Sequence, residues 1–366
     1  MPVLYRKWRP QSLAEVVGQP AITQTLLNAL GAGKVAHAYL LSGPRGTGKT
    51  STGRILAKAV NCLSGGRGEP CNSCAICQDI TLGRSLDVIE VDAASNRGID
   101  EIRQLREKVG FAPSQGRYKV YIIDEVHMLT EAAANALLKT LEEPPSHVIF
   151  VLATTESHKV LPTILSRCQH FAFRRLPIEA IASRLEHIAA GEGITLAPGV
   201  SRLLARGASG SLRDAENIME QALNLYEQPL GLEQVRELLG LGVDIRARGV
   251  VGHILARQAA AGLDALAQVV ADGLDLRAFH RHILEYLRGL LLVRAGSAEA
   301  VEATLEEVAE MKAVAAEVEL SFLLRLTRFF AAVDSRWDGY SPLPLELALI
   351  EGLGEEAEAE VKVKEI

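Results

Sequence analysis

The sequence predicts an α/β fold, a parallel sheet with helices on both faces, followed by wholly helical regions. Three observations carry that prediction. Short apolar runs suited to buried strands recur at Ala38-Tyr39-Leu40-Leu41, Leu86 to Val91, Lys119 to Glu125 and His147 to Ala153. Stretches with helical apolar spacing fall between them, and alternation of this kind belongs to parallel sheets covered on both sides. Near Leu176-Pro177 the strand-like runs cease, and only helical patterns continue.

The first strand runs directly into Gly43-Pro44-Arg45-Gly46-Thr47-Gly48-Lys49-Thr50, which fits G-x-x-x-x-G-K-[ST]. A helix is predicted from Ser51 to Asn61, with Ile55, Leu56, Ala59 and Val60 on its core face. Strand, glycine turn and helix form the context that the motif requires. The glycines let backbone N–H groups crowd a phosphate chain, and the helix N-terminus adds a favourable dipole. Lys49 is predicted to reach the β- and γ-phosphates of ATP and Thr50 to ligate Mg²⁺, with the loop residues and Ser51 completing the contacts.

The run Lys119-Val120-Tyr121-Ile122-Ile123 ends in Asp124-Glu125. At the carboxyl end of a strand, Asp124 would hold Mg²⁺ through water. Glu125 would take a proton from the water attacking the γ-phosphate. Helices are predicted from Ile99 to Val109, with Ile102, Leu105 and Val109 on one face, and from Glu131 to Glu143. Thr130 is the N-cap of the second, and Pro144-Pro145 stops it.

Four of the five cysteines cluster, as Cys62, Cys71, Cys74 and Cys77. Cysteines with two residues between them let thiolates converge on one ion, and four thiolates satisfy tetrahedral Zn²⁺ with no open position. Such a closed site is structural. An iron–sulfur cluster is the alternative occupant. Gly65, Gly66 and Gly68 supply the loop that folds back, and Cys168, standing apart, reads as a buried thiol.

From Ile178 to about Gly242 the pattern is one of short helices. From about Val243 to Gly354 longer apolar stripes appear, such as Leu263, Leu266, Val269, Val270 and then Leu284, Leu287, Leu290, Leu291. The predicted domains are therefore 1–176, 177–242 and 243–354, with a charged tail at 355–366 that frays. The net charge of −6 divides unevenly, +6 up to Arg175 and −12 beyond it. A basic front half holding a nucleotide site suits phosphate-rich partners, and an acidic rear half suits protein contacts. No apolar run approaches the roughly 18 residues of a membrane span, and the first residues lack the apolar core of a secretion signal. A cytoplasmic location is expected.

With these pieces in place the chain resembles the AAA+ ATPases. More narrowly, it resembles the tau/gamma motor subunits of bacterial DNA polymerase III clamp loaders. The carriers are Tyr5-Arg6-Lys7-Trp8-Arg9-Pro10 with Val17-Gly18-Gln19, the loop at Gly43, the four-cysteine insert and Asp124-Glu125-Val126-His127. Ala153-Thr154-Thr155-Glu156, Ser166-Arg167-Cys168 and Gly210-Ser211-Leu212-Arg213-Asp214 complete the set.

The resemblance implies a helical lid over 177–242 and a helical collar over 243–354. It also implies roles for single residues. Tyr5, Arg9 and Val17 would line the adenine and ribose pocket. Thr155, or else Thr154, would be the first sensor of the γ-phosphate, and Arg213 the second. Arg167 would be an arginine finger acting on a neighbouring subunit's ATP. The implied partners are delta and delta prime subunits, further copies of this chain, the sliding clamp and primer–template DNA. Ser95-Asn96-Arg97-Gly98 is a candidate DNA contact. Two other readings stay open: another AAA+ DNA machine, such as a branch-migration motor or helicase loader, and a nucleotide-bound scaffold that does not hydrolyse.

Overall fold

A computed structural model describes residues 3–64, 68–96, 98–239, 242–301, 305–334, 337 and 339–354. The chain forms two compact units, Met1–Val235 and Arg236–Ile366.

The first unit is organised by a five-stranded parallel sheet. Its strands are β1 (Ala38–Ser42), β2 (Val88–Asp92), β3 (Lys119–Asp124), β4 (Val148–Thr154) and β5 (Gln169–Ala172). Their order across the sheet is β2-β3-β4-β1-β5. The central strands β1 and β4 are buried at every position, as expected where helices cover both faces. Two apolar cores result. One lies on the side of Ile102, Leu137 and Leu141, and the other on the side of Leu26, Ile55 and Leu56. The sheet thus carries β1 and β3 side by side with β4, so that their carboxyl ends open on one edge.

Two strand expectations change. Leu86 to Val91 reads as a buried strand, but β2 begins at Val88, lies at the sheet edge and leaves Glu90 and Asp92 exposed, while Leu86 is 76% exposed. An edge strand needs apolar cover on one side only, which its mixed composition supplies. A fifth strand, Gln169–Ala172, is added; only Phe171 within it is buried, so no apolar run announces it. The loop helix spans Lys49–Asn61 and the helix after β3 spans Glu131–Glu142, whose N-cap Thr130 accepts from the Ala133 N–H (3.3 Å).

The remainder of this unit consists of the helices Ile178–Glu192, Val200–Gly207, Leu212–Leu225 and Leu232–Leu238, the last of which runs into the second unit. The second unit is helical among its described residues, from Gly242–Leu255 to Leu343–Leu353. Its core is built on Phe279, Ile283, Leu287, Leu290, Leu323, Leu326 and Leu349. Leu266 and Val269 of the predicted stripe are buried, whereas Val270 is exposed. Gly65, Gly66, Arg97 and the tail 355–366 lie outside the described residues. Among those described, no helix is long and apolar enough to cross a membrane.

Candidate functional site: a phosphate-loop cavity and a four-thiol cluster

At the carboxyl end of β1 the chain turns through a loop with positive φ at three glycines, Gly43 (+138°), Gly46 and Gly48. Gly48 has φ +103° and caps the Lys49–Asn61 helix. Gly46 has φ +73°, and a Cβ there would lie 1.9 Å from Ser211 Oγ. The loop is therefore packed directly against the start of the Leu212–Leu225 helix, and the Leu212 N–H donates to the Gly46 carbonyl (3.1 Å).

Lys49 is 6% exposed, and its Nζ donates to the carbonyl oxygens of Gly43 (2.7 Å) and Pro44 (2.8 Å). Burial lowers the pKa of its ammonium, while Glu125 and Asp124 oppose that shift. Thr50 Oγ1 donates to Asp124 Oδ2 at 2.7 Å. The pair joins a helix start to a strand end, and it is the arrangement that a hard, oxygen-seeking cation requires.

Glu125 sits just past β3 with φ +49° and ψ +46°, a left-handed conformation uncommon outside glycine. This turn carries its carboxylate towards the end of β4. There Oε2 accepts from the Thr155 N–H (3.2 Å) and the Thr155 hydroxyl (3.0 Å). The geometry separates the two threonines. Thr154 is fully buried, its Oγ1 lies 2.9 Å from His127 Nδ1, and it accepts from the Glu156 N–H (3.0 Å). His127 stands between two acids, 3.5 Å from Glu125 and 3.3 Å from Glu156.

Lys49, Thr50, Asp124 and Glu125 line a cavity of about 460 Å³. Its lining also includes the apolar side chains of Pro10, Val16, Val17, Leu176 and Leu212. Of the predicted nucleotide residues, Tyr5, Arg9, Val17, Arg45, Gly46, Thr47, Gly48, Ser51 and Arg213 also line it. Arg213 places its guanidinium 4.6 Å from the Tyr5 ring centroid. Gly43 and Pro44 sit behind the cavity as acceptors for Lys49. Arg167 stands away from it. Its Nη2 donates to Glu142 Oε1 (2.7 Å) and its Nη1 to the Thr163 carbonyl (2.7 Å).

Sequence reasoning missed four residues here. Asp92 ends β2 in the cavity wall, His127 links two acids to Thr154, and Ser211 caps the packed helix, accepting from the Asp214 N–H. Glu216 also lines the cavity. A helical reading from Leu212 and Arg213 would have found it, since residues three and four apart share a face.

The four cysteines converge. Their Sγ atoms all lie within 4.8 Å of one another. Thiolates around one zinc ion at about 2.3 Å stand about 3.8 Å apart, so the set fits such an ion with little adjustment. The Cys71 N–H donates to Cys62 Sγ and the Cys74 N–H to Cys71 Sγ, both at 3.3 Å. The Ser73 hydroxyl and neighbouring N–H groups pull the Cys71 thiol down to about 5, whereas burial pushes the Cys77 thiol up. The insert is tied to the body by buried Lys58, which donates to Gln11 Oε1 and Asn72 Oδ1 (2.7 Å each). Cys168 is half-buried beside the sheet, and burial raises its thiol to about 11.

Three family models match in chain order. They are the DNA polymerase III delta subunit over residues 18–177, the DNA polymerase III clamp loader ATPase lid domain over 180–227, and domain III of DNA polymerase III subunits gamma and tau over 230–331. DNA polymerase III subunit tau of Bacillus subtilis is 47% identical over 305 residues, which are 83% of this chain and 54% of that protein. The tau subunit of Escherichia coli is 42% identical over 313 residues, 84% of this chain and 49% of that protein. A solved structure of the Thermotoga maritima RuvB Holliday junction branch migration motor matches at a TM-score of 0.48. It is 18% identical, covering 68% of this chain and 79% of that one. The chain thus spans about half the length of the tau relatives it matches. Phosphate loop, acidic strand end, cysteine insert and three matching models follow one another in the order of a single protein type, and the chain belongs to the gamma/tau family of bacterial DNA polymerase III subunits.

Proposed function

We propose that this chain binds ATP with Mg²⁺ and hydrolyses it as the motor of a replicative clamp loader. ATP binding would favour an assembly that opens the ring-shaped clamp and grips primer–template DNA, and hydrolysis would release the closed clamp. The observation that carries this reading is the meeting, in one cavity, of Lys49, Thr50, Asp124 and Glu125 with Arg213 from the later helix. That set can neutralise a triphosphate, hold its metal and activate a water.

The roles follow from the contacts. Thr50 would ligate Mg²⁺, and Asp124 would hold it through water. Glu125 is the base, and Thr155 is the first sensor, because its hydroxyl touches the base directly. Arg213 is the second sensor, placed where the loop meets the helix. Arg167, already turned outward on Glu142, is the finger offered to a neighbour. The chain works in three parts, 1–176 as motor, 177–242 as lid and 243–354 as collar, in a ring with delta, delta prime and further copies of itself. DNA is gripped through its phosphates, without reading of bases. Steady-state ATPase assays on the chain assembled with its partner subunits test this reading. Turnover should rise when primed DNA and clamp are added together. A rate that ignores both would overturn it.

The four thiols hold one structural Zn²⁺. Metal analysis of protein purified without chelator should give one zinc per chain. Cys74→Ser should lower the thermal midpoint while changing the hydrolysis rate per folded molecule by less than about twofold, because a closed site offers substrate no position. A zinc-free preparation of full stability would refute the assignment.

A further inference from the structure

One acid in the cavity lining comes from the later Leu212–Leu225 helix. Glu216 is 5% exposed, and among the described residues no hydrogen bond or ion pair holds its carboxyl. It stands on the Leu212–Leu225 helix one turn beyond Leu212 and Arg213, in a cavity that Pro10, Val16, Val17 and Leu176 also line. An unpartnered buried acid is costly, and its presence calls for a partner that arrives from outside.

We propose that Glu216 reads the nucleotide base: its un-ionised carboxyl donates to N1 of adenine and accepts from the 6-amino group. This deepens the ATP reading above and rests on it. With the triphosphate anchored on Lys49, the base is left to the rest of the lining, which includes Glu216. Apolar walls supply stacking area there, and the acid supplies the hydrogen bonds that fix the ring edge.

The charge state of the acid follows from its surroundings. Burial raises its pKa to about 7, against the attraction of Arg184 and Arg9. Arg9 reaches it from the N-terminal segment and Arg184 from the Ile178–Glu192 helix, where its Nη2 is already spent on the Trp8 carbonyl (2.9 Å). Arg213 lies one turn before it on its own helix. Glu220, one turn after, accepts from the Leu4 N–H. Guanidinium groups do not titrate near neutrality, so the proton on Glu216 is the variable.

Ionisation reverses the chemistry. A carboxylate cannot donate to adenine N1 and sets an oxygen against its lone pair. Guanine instead offers two donors, N1–H and the 2-amino group, to the two oxygens. Preference for ATP over GTP should therefore be greatest below about pH 7 and fall as pH rises through it.

Equilibrium dialysis of the 366-residue chain with Mg-ATP and with Mg-GTP tests this at about pH 6 and about pH 8. The ionisation of the terminal phosphate is common to both nucleotides and cancels in the ratio of their dissociation constants. Across that interval the neutral fraction of Glu216 falls about tenfold, and the ATP-to-GTP preference should fall by at least that factor. Glu216→Gln keeps a donor and an acceptor that cannot ionise, so its preference should not change with pH. Glu216→Leu should bind both nucleotides through the phosphates, with weaker ATP affinity and a ratio independent of pH. A wild-type ratio that is constant, or that moves as much in Glu216→Gln, would remove the role while leaving the ATP reading intact. Binding of neither nucleotide would remove both.

Discussion

Glu125→Gln is expected to bind ATP about as well as the unmodified chain and to lose about 10²- to 10⁴-fold in turnover, the range for a positioned general base. The two effects separate because the amide oxygen can still accept both Thr155 bonds, which Glu125 Oε2 now receives at 3.2 and 3.0 Å. The geometry at the end of β4 should therefore survive. What is lost is the capacity to take a proton from water. Binding by equilibrium dialysis and hydrolysis in a single turnover would measure the two quantities independently. Equal single-turnover rates would move the base elsewhere and leave Glu125 as a structural acceptor.

Arg167→Ala should leave ATP binding unchanged and reduce DNA-stimulated hydrolysis by about 10³- to 10⁵-fold, the worth of an arginine finger. Its present partners, Glu142 and the Thr163 carbonyl, are surface groups of its own chain. An ion pair at such exposure contributes about 0–1 kcal/mol, so the substitution should scarcely affect stability. A loss on the predicted scale would then have to arise at an interface. Mixing this variant with Lys49→Ala chains gives the decisive comparison. Some mixed interfaces would pair an intact loop with an intact Arg167, and activity should partly return. No recovery in mixtures shown to co-assemble would make Arg167 a structural residue of its own subunit.

Much of the motor was legible in the residues because its elements announce themselves locally. β1, β3 and β4 are apolar runs, buried through most or all of their length, and the loop between Gly43 and Thr50 fixes what must precede and follow it. The strands that misled were those with little apolar character. β5 buries Phe171 alone, and β2 carries Glu90 and Asp92 at an edge, so pairing with neighbours decides what composition leaves open. The spacing of the cysteines predicted that they converge, since that depends on short-range geometry. The pairing of Thr155 with Glu125 depends on a left-handed residue after β3, which no pattern of residue types records. Glu216 escaped for a different reason. Its meaning comes from the other residues that line the cavity, several of them some two hundred positions earlier in the chain.

The contact at Gly46 has a mechanical consequence. With no side chain on the glycine, loop carbonyl and helix amide meet at 3.1 Å, and Ser211 closes over the gap that a methyl group would fill. There is no slack between them. A hydrogen bond of that length weakens steeply when stretched, so a displacement of the loop is passed to the helix as motion instead of being absorbed. The helix is 14 residues long, about 21 Å. Gly46 would thus serve as a fulcrum: were the helix to pivot about its first residues, the far end at Leu225 would sweep through the larger arc for any small step taken at the phosphates.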